Sequence, residues 1–153
     1  MSLPNPPEGV QRVTTRLTYQ DPERALQFLA DAFGFAEIPG KRVTAANGII
    51  VTEIAIGDAY VMIGRAGGHD LISPRQSGPT ASMMVYVDDV DAHHQQAQAG
   101  GTQIVADPAD QYWGDRRYEA RDLEGHVWFF HQRVREVSAE EIAQIEASFL
   151  SEA

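Results

Sequence analysis

The segment Arg121-Asp-Leu-Glu-Gly-His-Val-Trp128 decides how the second half of the chain folds. It lies between two strand-like runs, residues 116–121 and 127–132, and it contains the turn Leu123-Glu-Gly-His126. A Gly-containing turn between runs rich in aromatic and β-branched residues is typical of a β-hairpin. The segment therefore predicts two adjacent antiparallel strands.

Upstream of this hairpin, the stretch Tyr86-Val-Asp-Asp-Val-Asp91 predicts a strand that leads into a helix. Residues 83–87 form the strand, an Asp pair caps a helix over about residues 90–98, and Gly100-Gly101 ends it. Residues 103–106 are expected to form another strand, followed by a loop from Pro108 to Gly114. This half of the chain therefore predicts one strand, one helix and three strands.

The first half predicts the same order of elements. A strand over residues 13–19 precedes Asp21-Pro22, which is a strong helix start, and the helix over residues 22–33 ends at Gly34. Strand candidates follow at residues 36–38, 42–45, 49–56 and 59–63, with hairpin turns expected at Asn47-Gly48 (both residues at positive φ) and at Gly57-Asp58. An offset of 67 residues aligns the two halves at six identities, among them Tyr19 with Tyr86 and Gly34 with Gly101. The matching order predicts a duplicated βαβββ module.

The composition excludes several classes of function. The 153 residues include 12 basic and 22 acidic side chains and no cysteine, for a net charge of -10. Zero cysteine rules out disulfides, thiolate metal sites and a cysteine nucleophile. The acidic balance argues against nucleic acid and anionic membranes as partners. With no long apolar run and no signal-like N-terminus, the expected location is cytoplasmic.

The motifs quoted above make the chain similar to the vicinal oxygen chelate superfamily, which includes glyoxalase I, bleomycin-resistance proteins and extradiol dioxygenases. The resemblance covers about residues 12–133 and includes the loop Asp110-Gln-Tyr-Trp-Gly-Asp-Arg116. It implies an α+β fold in which tandem βαβββ modules form an open, cup-shaped mixed sheet, and it implies frequent dimerisation. The reaction does not follow, because this fold hosts many activities.

Metal enzymes of the family place one ligand on each of four cup strands, usually His, Glu or Gln, His and Glu. Counting from the matching motifs puts these positions at Thr14, Met62, Ser82 and Phe129. Divalent ions in oxygen and nitrogen sites need His or carboxylate donors, which these side chains are not. We therefore expect no metal at the family site and no cofactor.

Without those donors, the cup is expected to bind a small organic ligand. Its lining would be apolar and aromatic with a few polar points, as ligand sites usually are. The candidate ligand-binding residues are Thr14, Arg16, Met62, Ser82, Met84, Tyr86, Trp113, Arg116, Phe129 and His131. Trp113 offers a flat surface for stacking, and Arg16, Arg116 or Arg117 offers a cation for an acidic group. Alternatively, Asp115 and Arg116 pair with each other and hold their loop.

The sequence thus predicts a metal-independent binding protein. It would be a homodimer that holds a partly planar organic molecule in the cup. The acidic total charge of the protein favours a cationic ligand. The alternative is a glyoxalase-like lyase or isomerase, or a dioxygenase-type enzyme. It would use either an unusual metal set from Glu53, His69, His126 and His131 or acid/base catalysis by His131 or Tyr86. Catalytic residues are not assigned.

The expected domain organisation has three parts. Residues 1–11 form an extended lead-in and residues 12–133 the glyoxalase-like domain, with modules at about 12–64 and 82–133 and a linker at 65–81. A capping box at Ser138-Ala-Glu-Glu141 and an apolar stripe predict a helix within residues 134–153. This helix would pack on the domain or on a partner subunit. A third hypothesis for the function of the protein is therefore that of an interaction module that uses this helix.

Overall fold

The computed structural model describes residues 2–152, and it contains two sheets built on the same plan. The first comprises β1 (Arg16–Tyr19), β2 (Ala36–Glu37), β3 (Val43–Ala45), β4 (Gly48–Ile56) and β5 (Ala59–Arg65). The second comprises β6 (Ser82–Tyr86), β7 (Gln103–Asp110), β8 (Asp115–Arg121) and β9 (Val127–Arg133). The α-helices are α1 (Pro22–Phe33), α2 (Pro74–Ser77), α3 (Val90–Ala99) and α4 (Ala139–Ser151).

The strand orders confirm the duplication. The first sheet runs β1-β5-β4-β2, with β3 also paired to β4, and the second runs β6-β9-β8-β7. In each sheet the first strand is parallel to the last strand of its module, and the other pairs are antiparallel. Since β2 and β3 both pair with β4, they act as one interrupted strand. The α+β class and the tandem βαβββ order are therefore as predicted.

Helix α1 has the bounds that its sequence signals predict. The Asp21 side chain accepts a hydrogen bond from the Arg24 amide, and Gly34 ends the helix at a φ of 75°. Its buried face, which includes Leu29 and Phe33, packs against α3 and the core side of both sheets. Phe33 contacts the rings of Trp128 and Phe130 at 5.5 and 4.8 Å between centroids, so both modules share one core.

Some element boundaries differ from the sequence predictions. β1 begins at Arg16 rather than at residue 13, and the linker contains α2. Strand β7 continues through Pro108 to Asp110, where a loop was expected. A proline is tolerated there because β7 is the edge strand and its register shifts between Ala106 and Ala109, so no ladder bond is lost.

The predicted Asn47-Gly48 turn is shifted by one residue. Ala45 pairs with Gly48, so the two turn residues are Ala46 and Asn47. Gly48 alone of the predicted pair has a positive φ, 105°. The Gly57-Asp58 turn is as predicted, because Ile56 pairs with Ala59.

The C-terminal helix α4 carries the predicted capping box at Ser138 and Glu141. It touches the loop before β8, where the Tyr112 hydroxyl donates to Glu146 at 3.1 Å and the Tyr112 and Phe149 rings lie 5.6 Å apart. None of its residues is fully buried, and Leu150 is 82% exposed. Within residues 2–152, no helix combines the length and the apolar character that crossing a bilayer requires.

Candidate functional site

Each sheet has a core face, which packs on the helices, and an opposite face that we call the open face. Side chains alternate between these faces along a strand, and cross-strand partners share a face. On β9, Trp128 and Phe130 belong to the core face and are fully buried. Val127, Phe129, His131 and Arg133 therefore lie on the open face of the second sheet.

Three cross-strand rows make up the open face of the second sheet. They are Ser82–Val127–Arg121, Met84–Phe129–Glu119 and Tyr86–His131–Arg117, each crossing β6, β9 and β8 in that order. Met84 is 62% exposed and Tyr86 is 61% exposed, although both are large and largely apolar. The structure therefore brings five predicted site residues together on the open face, with Met84 and Tyr86 exposed and His131 buried: Ser82, Met84, Tyr86, Phe129 and His131.

A buried carboxylate organises one end of this face. Its Oδ2 atom accepts hydrogen bonds from the Tyr86 hydroxyl at 2.8 Å, the Trp113 indole nitrogen at 3.0 Å and His131 Nδ1 at 3.0 Å. This carboxylate is Asp115, which is only 2% exposed. We call Tyr86, Trp113, Asp115 and His131 the Asp115 cluster. It fixes Trp113, the sixth predicted site residue, at the border of the open face.

The Asp115 cluster is built to hold a negative charge. Burial alone would raise the Asp115 pKa, but the hydrogen bonds from Tyr86, His131 and Trp113 outweigh it and leave the pKa below its ordinary value. The same contact raises the pKa of Tyr86, since its hydroxyl donates to a carboxylate and is partly desolvated. Asp115 is therefore ionised, and the Tyr86 hydroxyl keeps its proton at neutral pH.

His131 has one bonded and one free ring nitrogen. A carboxylate can only accept, so Nδ1 carries the proton that bonds to Asp115. Nε2 is buried and finds no hydrogen-bond partner within residues 2–152, and the residue is 1% exposed. An imidazole oriented by a carboxylate through one nitrogen can accept a proton at the other.

Arg117 is a cation of the open face that is held between two aromatic rings. Its guanidinium carbon lies 5.0 Å from the centroid of Trp113 and 4.9 Å from that of Phe129. Such cation–π contacts hold the guanidinium between two aromatic rings while its N–H groups stay free for other partners.

Arg116 was predicted to line the cup, and this placement is wrong. Strand alternation turns it to the side opposite Asp115 and Arg117, where it bonds to Asp91 and Asp110, each at 3.1 Å. The alternative, that Arg116 pairs with Asp115, is also wrong, because Asp115 bonds to the cluster instead. Arg117 takes the place that the sequence interpretation gave to Arg116.

The other predicted residues lie in or before the first sheet. Arg16 and Met62 are cross-strand partners on its open face, and Glu53 continues the same row. Arg16 donates to the Arg65 carbonyl oxygen at 3.2 Å, and its guanidinium lies over Gly64, where a Cβ would be 2.3 Å from Nε. Thr14 is half-buried and precedes β1. These residues do not touch the Asp115 cluster.

The unusual metal set is not assembled. Glu53 lies 3.9 Å from Lys41 Nζ, His126 Nε2 donates to the Thr18 carbonyl oxygen at 2.9 Å, and His131 bonds to Asp115. Within residues 2–152, no three His, Asp or Glu side chains form a group that could hold a metal ion.

The sequence analysis did not single out two residues that are important for the site. Asp115 was considered only as a partner of Arg116, and Arg117 was named without preference over Arg116. The signal was present in the hairpin itself: once Phe129 is placed on the open face, antiparallel pairing across Leu123-Glu-Gly-His126 assigns faces to every residue of β8.

Comparison with known proteins agrees with this architecture. An uncharacterized protein of Mycobacterium bovis is 31% identical over 136 residues, which are 85% of this chain and 88% of that protein. The crystal structure of TioX from Micromonospora sp. ML1 is 34% identical, covers 82% of this chain and 100% of its own, and superposes with a TM-score of 0.68.

A glyoxalase/bleomycin resistance protein/dioxygenase from Nocardioides shares the fold at 16% identity, with a TM-score of 0.62 over 85% of this chain and 89% of its own. The family model described as Glyoxalase/Bleomycin resistance protein/Dioxygenase superfamily matches residues 10–130. The chain therefore belongs to the Glyoxalase/Bleomycin resistance protein/Dioxygenase superfamily.

Proposed function

We propose that this protein binds a small, partly planar organic molecule on the open face of the second sheet, without a metal ion. The observation that carries the proposal is the exposure of Met84 and Tyr86, at 62% and 61%, beside Phe129 and Trp113. Accessible apolar side chains next to fixed polar groups are the usual composition of a ligand site. The Asp115 cluster supplies the fixed groups.

A second copy of the chain would complete the cup. One open face leaves a ligand exposed on its far side, whereas ligand sites bury most of the ligand surface. The open face of the first sheet, with Arg16 and Met62, is the surface that a partner subunit would bring. Family membership supports this arrangement, with residues 12–133 as the binding domain.

The test of the binding proposal is a calorimetric screen of planar aromatic compounds against wild type and Met84→Ala. Removing this side chain from the face is expected to weaken binding about threefold to tenfold, since burying its surface contributes about 1 kcal/mol. Leu150→Ala is the matched control, because it removes an equally large, exposed apolar side chain from α4. A panel without a binder, or equal affinities for all three proteins, contradicts the proposal.

The dimer proposal has its own test. Sedimentation equilibrium of the chain is expected to give twice the 16.8 kDa mass of the monomer. A monomer at all concentrations, with or without ligand, would show that one chain forms its site alone.

His131 supports a second candidate, a metal-free lyase or isomerase that uses acid/base catalysis. Its free Nε2 and its bond to Asp115 have the geometry of an oriented general base. Because Nε2 is buried, a neighbouring side chain would have to move before substrate could reach it; the centroid of the Tyr86 ring lies 5.4 Å from that of the imidazole. Nitrogen-15 NMR spectra tell the two ring nitrogens apart: a proton fixed on Nδ1 and a lone pair on Nε2 favour this candidate, and a proton on Nε2 opposes it.

A further inference from the structure

The open face of the second sheet holds a cation that no neighbouring carboxylate neutralises. For residues 2–152, the structure gives the Arg117 side chain stacking contacts with Trp113 and Phe129, but neither a hydrogen bond nor an ion pair. Its charge is therefore available to a ligand.

The acidic neighbours of Arg117 on the same face are already engaged. Asp115, two residues before it on β8, accepts three hydrogen bonds within its cluster. Glu119, two residues after it, accepts a hydrogen bond from Arg121 at 2.8 Å. Within residues 2–152, the structure contains no ion pair between either carboxylate and Arg117.

The charge of this face is opposite to that of the whole chain. By strand alternation it carries three arginines, Arg117, Arg121 and Arg133, and two carboxylates, Asp115 and Glu119. The face is therefore net positive by one, in a protein of net charge -10. A ligand responds to the local charge around it, so the total charge is a poor guide to the ligand's charge.

We propose that the ligand is a planar organic anion whose carboxylate pairs with Arg117, an inference that rests on the proposed function. Arg117 and Tyr86 stand two strands apart in one row, about 10 Å at ordinary strand spacing, which is room for a two-ring system. The rings of the ligand lie against Met84 and Tyr86, and its acidic group reaches the guanidinium.

The stacking of Arg117 makes it a suitable anion receptor. A guanidinium presents two parallel N–H groups to a carboxylate, and such charge-assisted bonds are about twice as strong as neutral ones. Trp113 and Phe129 limit the positions of the side chain before binding, so less conformational entropy is lost when the ion pair forms.

The experiment compares three probes of the same ring size by isothermal titration: 2-naphthoate, 2-naphthamide and 2-naphthylmethylammonium. Wild type is expected to bind the carboxylate roughly tenfold more tightly than the amide, equivalent to about 1.4 kcal/mol, and the cation least. Arg117→Gln is expected to bind the carboxylate no more tightly than the amide, while its affinity for the amide stays within about twofold of wild type.

Arg116→Gln is the matched control, because it makes the same change on the same strand but on the opposite side of the sheet. It is expected to keep the preference for the carboxylate. If Arg117→Gln weakens the binding of 2-naphthoate and of 2-naphthamide equally, Arg117 acts only by packing and the inference is overturned.

The outcomes separate the two proposals. If none of the probes binds wild type, the proposed function fails together with the inference. If all three bind wild type with equal affinity, or if the ammonium probe binds best, the binding function stands and the choice of an anion is overturned.

Discussion

Asp115→Asn removes the negative charge from the Asp115 cluster with almost no change of shape. Three donors share the one carboxylate oxygen, and the residue is 2% exposed. A hydrogen bond to a charged group contributes about 1.5–3 kcal/mol and a neutral one about 0.5–1.5, so each bond loses about 1 kcal/mol. The expected loss is about 3 kcal/mol in the free energy of unfolding.

Urea denaturation at pH 7 measures this loss, and a thermal scan should show a lower melting temperature by about 6–12 °C for a chain of this size. Asp110→Asn is the control, since it breaks only an exposed pair with Arg116 and should cost at most about 1 kcal/mol. If Asp115→Asn costs no more than the control, the cluster does not hold the structure as we describe.

The pH dependence of the stability difference between wild type and Asp115→Asn tests whether Asp115 is charged in the folded protein. The folded-state pKa of Asp115 lies below its ordinary value of 3.8, so its ionisation stabilises the protein fully above that value. This contribution disappears as the pH falls through the folded-state pKa. The stability difference between wild type and Asp115→Asn should therefore be constant from pH 7 to about pH 5 and shrink below about pH 4. A difference that grows with acid would contradict the assignment of a charged Asp115.

Three further substitutions probe the shared core. Tyr19→Phe deletes a buried hydroxyl that donates to Asp122 at 2.6 Å, and urea denaturation should show a loss of about 1.5–3 kcal/mol. Gly100→Ala places a Cβ 2.7 Å from the backbone of Ala32, where α3 ends against α1, and should cost about 1–3 kcal/mol in the same assay. Burial lowers the pKa of His93, so stability should fall as the pH drops below about 6.5, the ordinary value for histidine, and His93→Gln should flatten that fall.

Two of these substitutions, Gly100→Ala and His93→Gln, have matched controls in the chain. Gly68→Ala adds a Cβ with no atom within 4 Å and at no positive φ, so it should be nearly neutral. His69→Gln changes an exposed histidine and should leave the pH dependence as in wild type. Equal effects of Gly100→Ala and Gly68→Ala would refute the close approach of the two helices. If the stability of His93→Gln still falls at low pH as in wild type, a group other than His93 causes that fall.

Local signals were sufficient to predict much of the fold. The Asp21-Pro22 start and the Gly34 end gave the bounds of α1, because capping depends on residues close in sequence. The matching order of strands and helices in the two halves of the chain predicted both sheets. The prediction of a loop at Pro108 was wrong because a proline ends a strand in the interior of a sheet but not at its edge. That β7 is an edge strand depends on tertiary pairing, which the local sequence does not reveal.

The site was harder to predict than the fold, because it depends on which side of a strand a residue occupies. Arg116 and Arg117 are adjacent and chemically identical, and only the pairing of β8 with β9 separates them. Asp115 collects donors from β6, β9 and the preceding loop, so no single stretch of sequence contains its cluster. The predicted residues on β6 and β9 could be placed because a recognisable motif adjoins each strand, after β6 and before β9.

Methionine methyl NMR can show whether a ligand binds on the open face of the second sheet, because Met83 and Met84 are neighbours on opposite faces of β6. Protein labelled with carbon-13 at the methionine methyl groups is titrated with 2-naphthoate. We expect a saturable shift of the Met84 resonance, on the open face, and little change at Met83, which packs against the core. An unchanged Met84 signal, or a larger shift at Met83, would contradict binding on the open face of the second sheet.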